Sequence, residues 1–334
     1  MISIKRKIIR QGHDTLTITL PKPWCKKYGV GPSGDLEVME QGDILNIVPP
    51  KNRTLPEIVV DVRGLPPMLI WRHVTSAYRS GYDEFRVTFD NPHDKKRYSA
   101  FSYDTMGQLY TKDGSKEPVL SPLEVVQMAI NRCVGVEIID QKDNCCLVKE
   151  LGETTYKEFD NALRRLFLLL FSFSEQITES MKKNGDKDLL KTVDLIDTNI
   201  DRFSDFCLRV LNKKGYVEFR KTPTMYTIIF TLELIGDEMK SISNHIIDAK
   251  KITPKIEGPF KNMCEKLRKF YGLFYTFDRE ACKQIYWINN KGQHSYSVET
   301  FNSLNNDEKE ILHHIKKINM HISSLTGLRI DMEY

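Results

Sequence analysis

The chain has no Cys-x-x-Cys pair, no apolar run beyond the eight residues LFLLLFSF (Leu166–Phe173), and a single acidic residue among its first thirty. Each absence removes a class of protein. The seven cysteines are odd in number and scattered, and only Cys145 and Cys146 are adjacent. That pattern argues for reduced thiols and against a zinc ribbon. The apolar run, bounded by Arg164–Arg165 and Glu175, falls far short of the about 20 residues a membrane-spanning helix needs, so no membrane insertion is expected. The opening MISIKRKII lacks an apolar signal-peptide core, which sets the expectation of a cytoplasmic protein. The motifs GxxxxGK[ST], HExxH and GxSxG are also missing. Gly29-Val30-Gly31 follows a short lysine-bearing helix and opens none of its own, unlike a dinucleotide loop. A ferritin-like metalloenzyme needs two Glu-x-x-His pairs, and the chain offers Glu310–His313 alone. No catalytic constellation emerges, and the chain reads as not an enzyme.

What is present is 334 residues, 40% hydrophobic and 28% charged, a globular composition for two or three domains. The charge is uneven. Residues 1–30 carry Lys5, Arg6, Lys7, Arg10, Lys22, Lys26 and Lys27 against Asp14 alone, a net of +6, and residues 31–50 carry four acids and no base. The whole chain is only +4. So local an asymmetry suggests a face built for a polyanion; the plainer alternative is a basic strand that keeps a dimer soluble.

Three compositional zones follow, at 1–50, 55–152 and 153–334. The first ends in a Pro49-Pro50…Pro56 linker. Before it, DTLTITL alternates Leu16, Ile18 and Leu20 with threonines in a strand pattern. PKPWCKKYG is a short helical turn ended by Gly29, and DLEVME and ILNIV form a hairpin around QGD. Some fifty residues of short strands bury too little surface to fold alone, and a second copy would supply the missing core.

KIIRQGHDTLTITLPKPWCKKYGVGPSGDLEVMEQGDILNIVP resembles the AbrB/MazE-like (SpoVT-AbrB) swapped-hairpin DNA-binding domain over nearly all of residues 3–49. Pro32 and Ser33 lengthen one turn relative to that family. The resemblance implies a homodimer of interleaved hairpins. DNA would meet Lys5, Arg6, Lys7 and Arg10, flanked by Lys22, Lys26 and Lys27.

The middle zone reads β-α-β…α-β-β, a small α+β domain of split βαβ type. EIVVDV, DEFRVTFD, GVEIIDQ and NCCLVKE are its strands. Helices follow Pro66–Pro67, with His73 read as structural, and Ser121–Pro122, with Ser121 as cap. A polar insertion lies near 91–121.

The third zone is all helix. Helices end at Asn184–Gly185 and Gly215, and a third starts at Thr222 (N-cap) and Pro223. They form a three-helix bundle, and the rest makes a second, degenerate unit. Asp194, Asp197 and Asp201 share one helix face, and Glu233 and Asp237 stand at i, i+4 on the next. Like charges so placed repel, and a cation relieves the repulsion: Mg²⁺, Mn²⁺, Ca²⁺ or iron suit such oxygens. The alternative is a solvated acidic face, because Glu233 and Asp237 point away from the apolar stripe of Ile228, Leu232, Ile235, Met239 and Ile242.

VDLIDTNIDRFSDFCLRVL followed by LELIGDEMKSISNHI resembles the helical bundle of PhoU phosphate-uptake regulators. The resemblance implies an outward-facing metal site (Mg, Mn, Fe or Zn) at Asp197 and Asp201 in DTNID and Glu233 and Asp237 in ELIGD. The second half lacks the matching acidic pair, so one site at most is expected, with Asp278 the only candidate there. The order of zones resembles an archaeal-type PhoU-related regulator. It implies a cytoplasmic transcriptional regulator of phosphate uptake, with DNA held by the dimeric head and phosphate status or metal sensed by the tail. The alternative is a signalling adapter that acts on a phosphate transporter by protein contact and uses the head only to dimerise.

Overall fold

The structure, a computed structural model, describes residues 4–12, 14–41, 44–48, 58–91, 96–97, 119–152, 155–183, 186–190, 192–249, 252–292 and 301–334. They fall into two units, Met1–Pro56 and Glu57–Tyr334.

In the first unit, β1 (Ile9–Gln11) pairs antiparallel with β2 (Thr15–Thr17), Arg10 opposite Leu16. Gly12 turns the chain between them at φ +78°, where a side chain would be strained. His13 of that turn lies outside the described residues, as do residues 42–43 and the proline linker at 49–57. Helix α1 (Lys22–Tyr28) has proline in its first turn and closes at Gly29, left-handed at φ +62°, as a helix stop should. β3 (Glu37–Gln41) and β4 (Ile44–Val48) complete the unit as an antiparallel hairpin. No side chain described here is buried.

The second unit begins with β5 (Ile58–Asp61), α2 (Pro67–Arg79) and β6 (Glu84–Thr88), and β5 and β6 lie parallel. In the insertion, β7 (Lys96–Arg97) pairs with β8 (Val119–Leu120), and residues 98–118 lie outside the described set. α3 (Pro122–Arg132) opens on a full capping box: Glu124 N–H donates to Ser121 Oγ at 3.2 Å, and Ser121 N–H to Glu124 Oε2 at 2.7 Å. β9 (Val136–Lys142) and β10 (Cys145–Glu150) form the last hairpin, giving a sheet ordered β5-β6-β10-β9. Strand alternation sends Val60, Phe85, Val87 and Val148 to one face, where they pack on Ile70, Val74 and Tyr78 of α2 and Val125 and Ala129 of α3. His73 lies on the exposed side of α2, so it is no core histidine.

Among the described residues, six long helices follow: α4 (Tyr156–Lys182), α5 (Val193–Lys214), α6 (Thr222–Asp248), α7 (Glu257–Tyr275), α8 (Arg279–Gly292) and α9 (Asn306–Asp331). The last three do not stand apart as a second bundle. α6 lies against α9 and α4 against α7, and one apolar core runs from Phe159 to Met332. Thr222 is not the cap of α6. A 3₁₀ turn (Phe219–Lys221) leads straight into the helix, and Thr222 Oγ1 instead accepts from Tyr216 N–H at 2.9 Å. Asp278 serves as a helix cap: its carboxylate accepts from Glu280 and Ala281 N–H at 3.0 and 3.1 Å.

Helices α5 and α6 meet closely at Gly236, where a Cβ would stand 3.0 Å from Ile200 Cγ2. Ile200 is fully buried in the core and has nowhere to retreat. Gly236→Val should therefore destabilise the second unit by about 1–3 kcal/mol through overpacking, read as a lower midpoint in urea denaturation.

Candidate functional site

The seven basic residues expected to meet DNA are all exposed. Lys5, Arg6 and Lys7 lie on the segment before β1, Arg10 is on β1, and Lys22, Lys26 and Lys27 are on α1. The Trp24 and Tyr28 rings meet at a tilt on the same short helix, 5.2 Å between centroids, and Lys27 Nζ lies 5.1 Å from the Tyr28 ring.

The acidic residues of α5 and α6 occupy a different setting from a solvated or outward-facing site. Asp197, Asp201 and Asp205 are buried, and Asp194, at the surface, lies at their edge, 3.9 Å from the Lys240 amine. The reason is the α+β layer, which packs on α5 through α2. From the end of α3, Arg132 reaches Asp201 Oδ2 at 2.5 Å and Asp205 Oδ2 at 2.7 Å, and its guanidinium lies 5.1 Å from the Trp71 ring. Arg79 of α2 adds a longer contact to Asp205 at 3.4 Å. Lys240, one turn beyond Asp237 on α6 and itself buried, donates to Asp197 Oδ2 at 2.8 Å. Asp197, Asp201 and Asp237 thus each present an oxygen within 4.8 Å of the others. Glu233 adjoins them.

The electrostatics follow from crowding and burial. Burial, reinforced by Asp237, Asp201 and Asp205, pushes Glu233 up to about 9, so it is a neutral acid at neutral pH. Burial also raises Asp201, and Arg132 offsets only part of that rise. Three oxygens so close are a donor set for a hard cation. Two positive charges, those of Arg132 and Lys240, are already in contact with them. An ion entering this nest would have to displace one or both side chains, so the residues present fit an internal ion-pair network better than a resident metal.

The same face of α5 continues with the sign reversed. Arg209, fully buried, donates to Tyr78 O at 2.8 Å and Tyr82 O at 2.9 Å, and its guanidinium lies 4.9 Å from the Tyr78 ring. Asn212 donates to Arg79 O at 2.7 Å. The end of α2 thus presents the carbonyls of Tyr78 and Arg79 to cationic and amide donors on α5. Lys213 bridges Glu150 and Asp83. Gly81, at φ +88°, lets the chain pass within about van der Waals contact of Lys213, where a Cβ would stand 3.1 Å from that residue's own Cβ.

A second cluster, not anticipated from the sequence, joins His245 of α6 to Glu310 and His314 of α9, with one ligand atom from each within 4.8 Å of the others. Glu310 therefore pairs by i, i+4 spacing with His314 rather than with His313. The adjacent histidines and that spacing were visible, but His245 enters only through the packing of α6 on α9. Asp205 was likewise missed, although it continues the Asp197–Asp201 spacing by one further turn.

All seven cysteines are free thiols. Burial pushes Cys133 and Cys146 up to about 12 and Cys264 to about 11, which makes them poor nucleophiles at neutral pH. Among the described residues, no helix is long and apolar enough to cross a membrane. Comparison of the chain with protein-family models, curated proteins and solved structures finds no match.

Two outcomes follow from the nest. Removing Arg132 strands Asp201 in a buried site and leaves Asp205 only its longer contact to Arg79, so Arg132→Ala should cost about 3–5 kcal/mol, measured by denaturant unfolding at pH 7. Glu233 ionises near 9 when folded, against 4.5 for the free side chain. The folded chain holds one more proton between those limits, and stability falls as pH rises through them. Glu233→Gln should therefore raise the melting temperature at pH 8.5 and leave it nearly unchanged at pH 4.5.

Proposed function

We propose that the chain is a cytoplasmic transcriptional regulator that grips DNA as a homodimer through its first unit. The observation that carries this reading is a head with no buried side chain among its described residues. Leu16, Ile8 and Leu45 are 68%, 66% and 65% exposed, with Ile9, Ile18 and Val38 also more than half exposed. A β unit that presents this much aliphatic surface is completed by burying it against something, and a second copy of the same hairpins is the simplest complement. Strands that close into a dimer core would bring the two Lys5–Arg10 segments together and double the positive charge, the condition for strong phosphate binding. The resemblance of residues 3–49 to swapped-hairpin DNA-binding domains supports the same assignment.

The signal is assigned to the helical unit by its resemblance to phosphate-uptake regulators, and phosphate homeostasis is the process proposed.

Leu16→Asp should convert a dimer to a monomer in analytical ultracentrifugation. Selective retention of genomic DNA fragments at about 150 mM salt, lost in Arg6→Ala/Arg10→Ala, is the expected result for a specific binder. Binding that disappears with salt and ignores sequence would overturn the regulator reading and leave an adapter whose head serves dimerisation, with a phosphate transporter or signalling protein as the partner to seek.

A further inference from the structure

We propose that His245, Glu310 and His314 form a binding site for a divalent transition-metal ion of the zinc class, clasping α6 to α9 at the surface of the second unit. It does not rest on the DNA-binding reading, nor on the acidic nest of α5.

Two imidazoles and one carboxylate are a donor set for zinc or cobalt(II), in contrast to the all-oxygen sets that magnesium and calcium take. One ligand atom from each residue lies within 4.8 Å of the others. Small side-chain rotations bring such a set to the about 2.0–2.2 Å reach of zinc–nitrogen and zinc–oxygen bonds. Two of the three donors, Glu310 and His314, stand one turn apart on α9, and the third crosses from α6.

A second, independent observation lies behind the ligands. Glu238, on α6 two turns before His245, places Oε2 at 2.5 Å from His314 Nδ1, and both side chains are largely shielded. Donating Nδ1–H to this carboxylate fixes the tautomer and leaves Nε2 as a lone-pair donor. A carboxylate orienting a histidine from behind is the arrangement that metal-binding imidazoles adopt. Lys317 holds the other oxygen of Glu238 at 3.2 Å, so the carboxylate is braced from both sides. On the far flank, Asp307 Oδ1 lies 3.8 Å from His245 Nδ1. The carboxylates around the site outnumber this lysine, so the local field favours a cation.

Glu310 is exposed and the two histidines are partly so. Three protein donors on an open surface leave a coordination position for water. Nothing in the acidic nest has this character: its donors are all oxygen, and cationic side chains already touch them.

The test is calorimetric titration of the full chain with zinc chloride, repeated with cobalt(II), whose absorption spectrum reports coordination geometry. The wild type should bind one ion per chain with a tetrahedral cobalt spectrum. His245→Ala/His314→Ala should abolish that binding, and Glu310→Gln, an exposed change that leaves the core untouched, should weaken it. Glu238→Gln should weaken it by about tenfold or more, and Asp237→Asn should leave it unchanged. Absence of zinc binding by the wild type, affinity retained in the double histidine variant, or loss of binding in Asp237→Asn alone would each overturn the proposal.

Discussion

The second unit depends on one polar face of one helix. Along α5, Asp197, Asp201, Asp205, Arg209 and Lys213 recur every fourth residue, and each meets a partner of opposite charge or a backbone carbonyl on a neighbouring element. Such a ladder is favourable only when every member is matched, because an ion left alone in a buried site costs more than the pair returns. The matching constrains the rest. The α+β layer must present Arg132 to the acidic end of the ladder and the carbonyl-rich end of α2 to its basic end. That fixes both the position and the direction in which the layer sits on α5.

The sequence made the elements legible and hid their neighbours. The hydrophobic period of each long helix, the stop at Gly215 and the cap at Ser121 have local causes, and they lie where the spacing places them. The acidic spacing on α5 and α6 was also plain, and the four residues read as a site do gather. What spacing does not contain is the element that covers them. Glu233 and Asp237 do lie off the apolar stripe of α6, and a residue off the stripe is solvated in an isolated bundle. Here α3 and α2 bring arginines to that side, so a face that reads as exposed becomes an interface. His245 shows the same limit, since its neighbours on α9 are some seventy positions away.

The head differs in kind. Its elements are short, its turns are made by Gly12 and Gly29 in left-handed geometry, and its aliphatic side chains are turned outward. Local rules suffice to draw the strands and the short helix. They do not close a core, because fifty residues with this pattern contain only part of one. That incompleteness, rather than any single motif, is the strongest physical reason to expect a partner chain.

The second unit holds two separate apolar cores, one beneath the sheet and one along the bundle, and the α5 ladder lies where the two bodies meet. A join made largely of ions and carbonyls behaves unlike one made of oil. Parting it exposes groups that water solvates well, so less apolar surface is uncovered there than in opening either core. Proton activity acts directly on such a join, whereas it scarcely touches the cores on either side. The chain therefore carries an internal seam whose strength is set by matched charge rather than by oil.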